Sequence, residues 1–143
     1  MLKLQICNFK RSQDGAAAVE FAIVSLLFIT FVMAILEFSR LLWVKQAISD
    51  VAVRAARCAT VGNADSSISC RNDPEVNDFA IAEAAAVGIL LVRDQVTADL
   101  GVPCNGYIAN QVEITFHFNS PVTGLIPSLL QDISVVACYP ASA

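Results

Sequence analysis

Charge is what this chain has least of: Asp, Glu, Lys and Arg make up 15% of its 143 residues, while 56% are hydrophobic. That balance is too apolar for an ordinary small soluble domain and far too apolar for a disordered one. The nine Lys and Arg are scattered, and the net charge is -4. A nucleic-acid surface needs clustered cations to displace counterions from phosphates, and no such cluster exists here. His is represented once, by His117. A hydrolytic nucleophile most often relies on a His base, and His117 falls on the polar side of an alternating stretch. The acids Asp94, Asp99, Glu113 and Asp132 form no recognisable motif, although spacing alone leaves a paired-carboxylate site open. None of the six glycines falls in a dinucleotide or phosphate-loop pattern. There is no C-x-x-C pair, which together with the single His weighs against zinc. These absences point away from an enzyme and from a bound cofactor or metal.

The hydrophobic excess is concentrated near the N-terminus. Residues 1–15 carry Lys3, Lys10 and Arg11 against one acid, Asp14. Ala16–Leu36 follows, with Glu20 as its only charge and Ser25 and Thr30 as its other polar groups. As a helix this stretch rises roughly 30 Å, the thickness of a hydrocarbon core. The basic flank stays cytoplasmic, which places the remainder of the chain on the other side. A cleaved secretory signal is the rival reading. Its apolar region is only about 7–15 residues long and ends in a small-x-small site. Here the run is longer, carries an acid, and has no such site before Arg40.

Glu20 is the informative residue. A lone carboxylate in hydrocarbon costs roughly 2.5 kcal/mol or more, so such groups usually have a partner and a role. A plainer reading places it near the interface, facing water. Its neighbours favour the first. The run Gly15-Ala16-Ala17-Ala18-Val19-Glu20-Phe21 resembles the processing site of pilins and pseudopilins of the tight-adherence (Tad, Flp) branch of type IV pili. That resemblance implies a cut by a membrane-embedded prepilin peptidase between Gly15 and Ala16. Residues 1–15 would be a leader, and Ala16 would begin the membrane helix. The new α-amino group on Ala16 would then be a cation for the Glu20 of a neighbouring subunit, with Phe21 beside it. Small Ala16–Ala18 would let helices approach closely.

The likeness continues through Glu37-Phe38-Ser39-Arg40-Leu41-Leu42-Trp43-Val44 and Ala55-Ala56-Arg57, which are similar to the stretch after the membrane helix in TadE-like minor pilins. The alternating strand followed by Pro121, Leu125-Ile126-Pro127 and a further strand also fits that family. TadF-like proteins share this N-terminus and remain open as the alternative. The major pilin of this branch is far shorter.

The helix is expected to continue from 16–36 through an amphipathic stretch, 37–60, before an export-side α+β domain, 61–143. Val44, Ile48, Val51, Ala55 and Cys58 recur at helical spacing, with Gln46, Ser49, Asp50, Arg54 and Arg57 on other faces. Trp43 is either an interfacial anchor or a core residue. Residues 62–72 read as an exposed loop. Asp73-Pro74-Glu75 reads as a helix start capped by Asp73, and the helix is expected to reach Val92 or Asp94. Gln111–Asn119 alternates as a half-buried strand, with Val112, Ile114, Phe116 and Phe118 inward. Ile133–Tyr139 is its antiparallel partner. A third strand is expected between Val96 and Ile108. The fold class is therefore α+β: a long N-terminal helix on a small antiparallel sheet, with one additional helix.

Of five cysteines, Cys7 lies in the leader. Cys58, Cys70, Cys104 and Cys138 are an even number on the export side, as two disulfides require. Three pairings are open. Cys58–Cys70 with Cys104–Cys138 is favoured, because the first closes the polar loop after the long helix. Reduced, buried cysteines are the alternative.

The resemblance implies a minor pilin or pseudopilin that helps assemble a Tad/Flp pilus for surface adhesion. Its partners would be the prepilin peptidase, other pilin and minor pilin subunits, the inner-membrane assembly machinery and membrane lipid. It would sit in the bacterial inner membrane by a single pass. The other reading is an unprocessed single-pass anchor with an extracytoplasmic binding domain.

Overall fold

The structure, a computed structural model, describes residues 14–62, 69–119 and 131–141. Residues 1–13 with Cys7, most of the expected leader, the middle of the 62–72 loop, and the stretch holding Pro121 and Pro127 lie outside the described residues. The elements are helix α1 (Asp14–Val61), helix α2 (Asp73–Ala86), a 3-10 turn (Arg93–Gln95) and strands β1 (Val96–Cys104), β2 (Tyr107–His117) and β3 (Asp132–Pro140). One long helix, one further helix and a three-stranded antiparallel sheet of order β1-β2-β3 make an α+β fold, as expected.

The chain divides into two units, Met1–Leu36 and Glu37–Ala143. In the first, the helix from Gly15 turns its apolar side chains outward, with none of its most hydrophobic stretch buried. Its polar exceptions are satisfied on their own backbone. Ser25 Oγ donates to the Ala22 carbonyl at 2.9 Å, and Thr30 Oγ1 donates to the carbonyls of Leu26 and Leu27. Hydroxyls can do this in a helix; a carboxylate, having no proton to give, cannot.

In the second unit, the part of α1 from Glu37 onward has a buried stripe: Leu41, Val44, Ile48, Val51, Ala52, Ala55, Ala56 and Cys58. Recurrence every three or four residues keeps these on one face. They join Val76, Phe79 and Ala80 of α2 and Val96, Ala98, Val112, Ile114, Ile133 and Ala137 of the sheet in one core. Strand alternation does the same for the sheet. The paired residues Val112↔Ala137, Ile114↔Val135 and Phe116↔Ile133 share the helix-facing side, in the antiparallel register expected of these two segments.

Three local expectations need correction. α2 ends at Ala86, not at Val92 or Asp94. Gly88 takes a left-handed conformation (φ +79°), and Gly88 N and Ile89 N donate to the carbonyls of Ala85 and Ala84. A glycine just past the last helical residue closes the helix this way at no steric cost. The N-cap is Asn72, not Asp73. Its side chain accepts from Glu75 N at 3.1 Å, and its amide donates to Glu75 Oε1 at 3.2 Å. The cap and the third helical residue thus satisfy each other. Finally, β2 runs from Tyr107 to His117 rather than from Gln111 to Asn119, while the third strand expected between Val96 and Ile108 is present as β1. Between them Asn105 (φ +52°) and Gly106 (φ +90°) form a two-residue turn, matching the backbone twist of the flanking strands.

The disulfides reinforce both ends of the core. Cys58, near the end of α1, is bonded to Cys70 just before α2, with Cα atoms 5.7 Å apart. Cys104 of β1 is bonded to Cys138 of β3, joining the two outer strands, with Cα atoms 6.3 Å apart.

Candidate assembly site

The residues singled out near the N-terminus occupy the first two turns of α1. Gly15 is its second residue, and a Cβ placed there would meet no atom within 4 Å. Nothing in the described chain requires glycine at this point. In helical geometry glycine costs about 1 kcal/mol relative to alanine, so the residue weakens the helix start without a packing reason. Ala16, Ala17 and Ala18 follow, all exposed, and leave a narrow, smooth helix surface. Glu20 stands four residues after Ala16, on the same face. Phe21 beside it is 74% exposed.

Glu20 is exposed and, among the described residues, its side chain makes no hydrogen bond or ion pair. Glu37 behaves differently. It is buried to 5% exposure and pairs with Arg40 Nη1 at 3.1 Å. The Arg40 guanidinium in turn lies over the Phe118 ring, 5.6 Å from its centroid. The second unit therefore satisfies its own buried acid from within. The apolar helix does not.

The exposed face of the sheet brings together other polar groups the sequence raised. His117 Nδ1 and Asp132 Oδ1 are 2.7 Å apart, and Ser134 lies on the same strand as Asp132. The Ser134 hydroxyl donates to Glu113 Oε1 at 3.1 Å, not to the imidazole. The His–Asp pair is also open to solvent on both sides, at 61% and 81% exposure. No nucleophile is thus held against a base in this group. Among the described residues, no three His, Cys, Asp or Glu side chains gather closely enough to hold a metal.

The helix from Gly15 is long and apolar enough to cross a membrane, which suggests a membrane anchor, and the Glu37–Ala143 unit is a small disulfide-bonded α+β fold. The family of TadE-like proteins matches residues 15–57, so the resemblance drawn from the N-terminal motifs holds. That match begins at Gly15 and ends one residue before Cys58; it covers most of α1, whereas α2 and the sheet lie beyond it. No curated protein and no solved structure matches the chain. Over this stretch the chain is similar to TadE-like proteins, a family of the Tad pilus system.

Proposed function

We propose that the chain is a TadE-like minor pseudopilin, cut between Gly15 and Ala16 by a prepilin peptidase and then taken into assembly of a Tad/Flp pilus for surface adhesion. One observation supports this reading: Glu20 is the only charge in the outward-facing apolar stretch 16–36 and its side chain has no partner among the described residues. On this reading its compensation comes from a neighbour. A freshly cut Ala16 amine on an adjacent subunit supplies a cation of the right sign at the right depth, one helical turn from its own Glu20. Gly15 supports the same reading from the other side, since its presence has no explanation in packing.

On this account residues 1–15 are the leader, 16–36 the membrane helix, 37–60 its amphipathic continuation and 61–143 the export-side domain. The peptidase, other pilin and minor pilin subunits, the inner-membrane assembly machinery and lipid are the partners. The protein enters the inner membrane once with its N-terminus cytoplasmic. The deciding experiment is N-terminal analysis and intact mass of protein taken from membranes of a host that has its own prepilin peptidase. Ala16 as first residue supports processing; Met1 as first residue overturns it in favour of an unprocessed anchor.

A further inference from the structure

The three-stranded sheet has two edges, and they are finished differently. β1 is blunted: α2 packs against it, Pro103 has no N–H to offer, and its register with β2 shifts between Asp99 and Val102. Such features discourage a further strand from pairing. β3 runs in unbroken register with β2 from Asp132 to Pro140, and carries no Lys or Arg and no proline before Pro140. Its hydrogen-bonding phase follows from its two ends. Ala141 N donates to Ile108 O, and Phe118 N donates to Gln131 O. Bonded pairs alternate along an antiparallel ladder, so the odd-numbered residues of β3 bond to β2. Asp132, Ser134, Val136 and Cys138 therefore turn their N–H and C=O groups away from β2. Among the described residues no strand takes these groups up.

Two clefts open between this strand and α1. One, of about 670 Å³, lies between Leu42, Trp43 and Lys45 of α1 and Ser134 and Val135 of β3. The other, of about 250 Å³, adds Phe38 on the helix and Ile133 on the strand. They share Leu42, Lys45 and Ser134, so they follow one another along the strand. Phe38, Leu42 and Trp43 are each about half exposed there. Lys45 is exposed, and among the described residues its side chain makes no ion pair.

Outward backbone groups at every second residue are what an extended chain recognises, and clefts beside them receive its alternate side chains. Phe38, Leu42 and Trp43 call for apolar side chains, and Lys45 calls for an acid. We propose that the β3 edge takes up an extended segment of another protein as an added strand. The segment is about five to seven residues long, apolar where it faces the clefts, and carries one acid against Lys45. A second copy of β3 fits this description poorly. Paired antiparallel over its whole length, it sets its only acid, Asp132, beside Cys138 and away from Lys45. The site lies wholly within the Glu37–Ala143 unit and does not depend on cleavage at Gly15.

Trp43 is the chain's only tryptophan and lines the larger cleft, so its fluorescence reads occupancy. The probe is a capped peptide of alternating valine and threonine with a glutamate at its central cleft-facing position. One control peptide has lysine there, and another is N-methylated throughout to remove its donors. Each is titrated into the full chain in detergent micelles, and amide exchange is followed at Ser134 and Val136. The glutamate peptide should bind roughly fivefold more tightly than the lysine peptide and slow exchange at both amides. Lys45→Glu, a change at an exposed position, should reverse the preference. Val136→Pro removes an outward donor without breaking a β2–β3 bond and should weaken binding of both peptides. Unchanged exchange at the two amides overturns the proposal, as does equal binding of the N-methylated peptide. A charge preference that survives Lys45→Glu overturns it too. So does protection present without peptide: in dilute protein it means the edge is filled from within the chain, and where it grows with protein concentration it assigns the edge to a second copy.

Discussion

Asn110 of β2 and Thr60 near the end of α1 are joined by a 2.9 Å hydrogen bond although fifty residues separate them. The amide of Asn110 donates to Thr60 Oγ1, and its Oδ1 accepts from Gly101 N at 3.0 Å. Gly101 sits where the β1–β2 register shifts, between Asp99 and Val102, with φ +68°. One buried side chain, 7% exposed, thereby holds an irregular strand and a helix end in place. Asn110→Leu removes both bonds and is expected to destabilise the domain by about 1–3 kcal/mol. Thr60→Val should cost less, and the double variant should cost less than the sum, because both changes break one network. Denaturant unfolding of the full chain in detergent measures all three.

The two disulfides close loops of different length, with separations of 12 and 34 residues. Loop-closure entropy makes the first worth about 3 kcal/mol and the second about 4 kcal/mol. Replacing both cysteines of a pair by alanine should therefore lower stability in each case, more for Cys104–Cys138. Mass spectrometry after proteolysis without reductant should return those two linked peptides. Equal or negligible losses in unfolding midpoint would count against the loop argument.

The α+β class was legible because its signals are periodic. A stripe every three or four residues marks α1, and strict alternation marks β2 and β3. What escaped were single-residue signals inside segments already assigned. β1 falls within the stretch expected to hold a third strand, but the Asn105-Gly106 turn that starts β2 at Tyr107 does not show in alternation, and the β1 register breaks near Gly101. The hydrophobic run from Phe79 to Val92 reads as one helix by composition, and a lone glycine inside it does not by itself mark an end, although Gly88 closes α2. At the N-terminal site the position of Glu20 was readable, because a charge in an apolar run stands out. The tie from Asn110 to Thr60 was not, because nothing in either residue's neighbours announces a contact across the fold.

Glu75 gives the domain a pH dependence. Its carboxylate is held below the ordinary value near 4.5, first by the Arg71 backbone N–H and then by the Ser69 hydroxyl, with donors at 2.9 and 2.8 Å. A depressed folded-state pKa contributes stability that is fully present above the ordinary carboxylate value and is lost as pH falls through the folded value. Glu75→Gln should therefore lower the unfolding midpoint at neutral pH, and the gap from wild type should narrow only below about pH 4.5. A gap that stays constant into acid would show that the carboxylate's charge is not what the cap uses.

Gly15→Leu tests the cut separately from the fold. No atom lies within 4 Å of the added Cβ position, so the helix accommodates the change, and leucine is the better helix former by nearly 1 kcal/mol. Helix content and membrane insertion should be unchanged or improved. Processing should stop, because a peptidase that cuts after a small residue no longer fits its substrate. The retained leader shows as unshifted mass in membranes from a host with prepilin peptidase. Cleavage at an undiminished rate would remove Gly15 from the site.

Glu20→Ala separates insertion from assembly, and the physics gives the two opposite signs. Removing a carboxylate from an apolar helix relieves a penalty of roughly 2.5 kcal/mol or more, so membrane insertion should hold or improve. If the acid is retained for pairing with a neighbour's Ala16 amine, the same change should abolish incorporation into fibres while leaving processing at Gly15 intact. Glu20→Asp keeps the charge on a shorter stem, so partial incorporation is expected from it. Blocking the amine should mimic Glu20→Ala, since either half of the pair is then missing. Counting the subunit in sheared pili against its level in membranes measures this directly, and wild-type incorporation of Glu20→Ala would sink the pairing role.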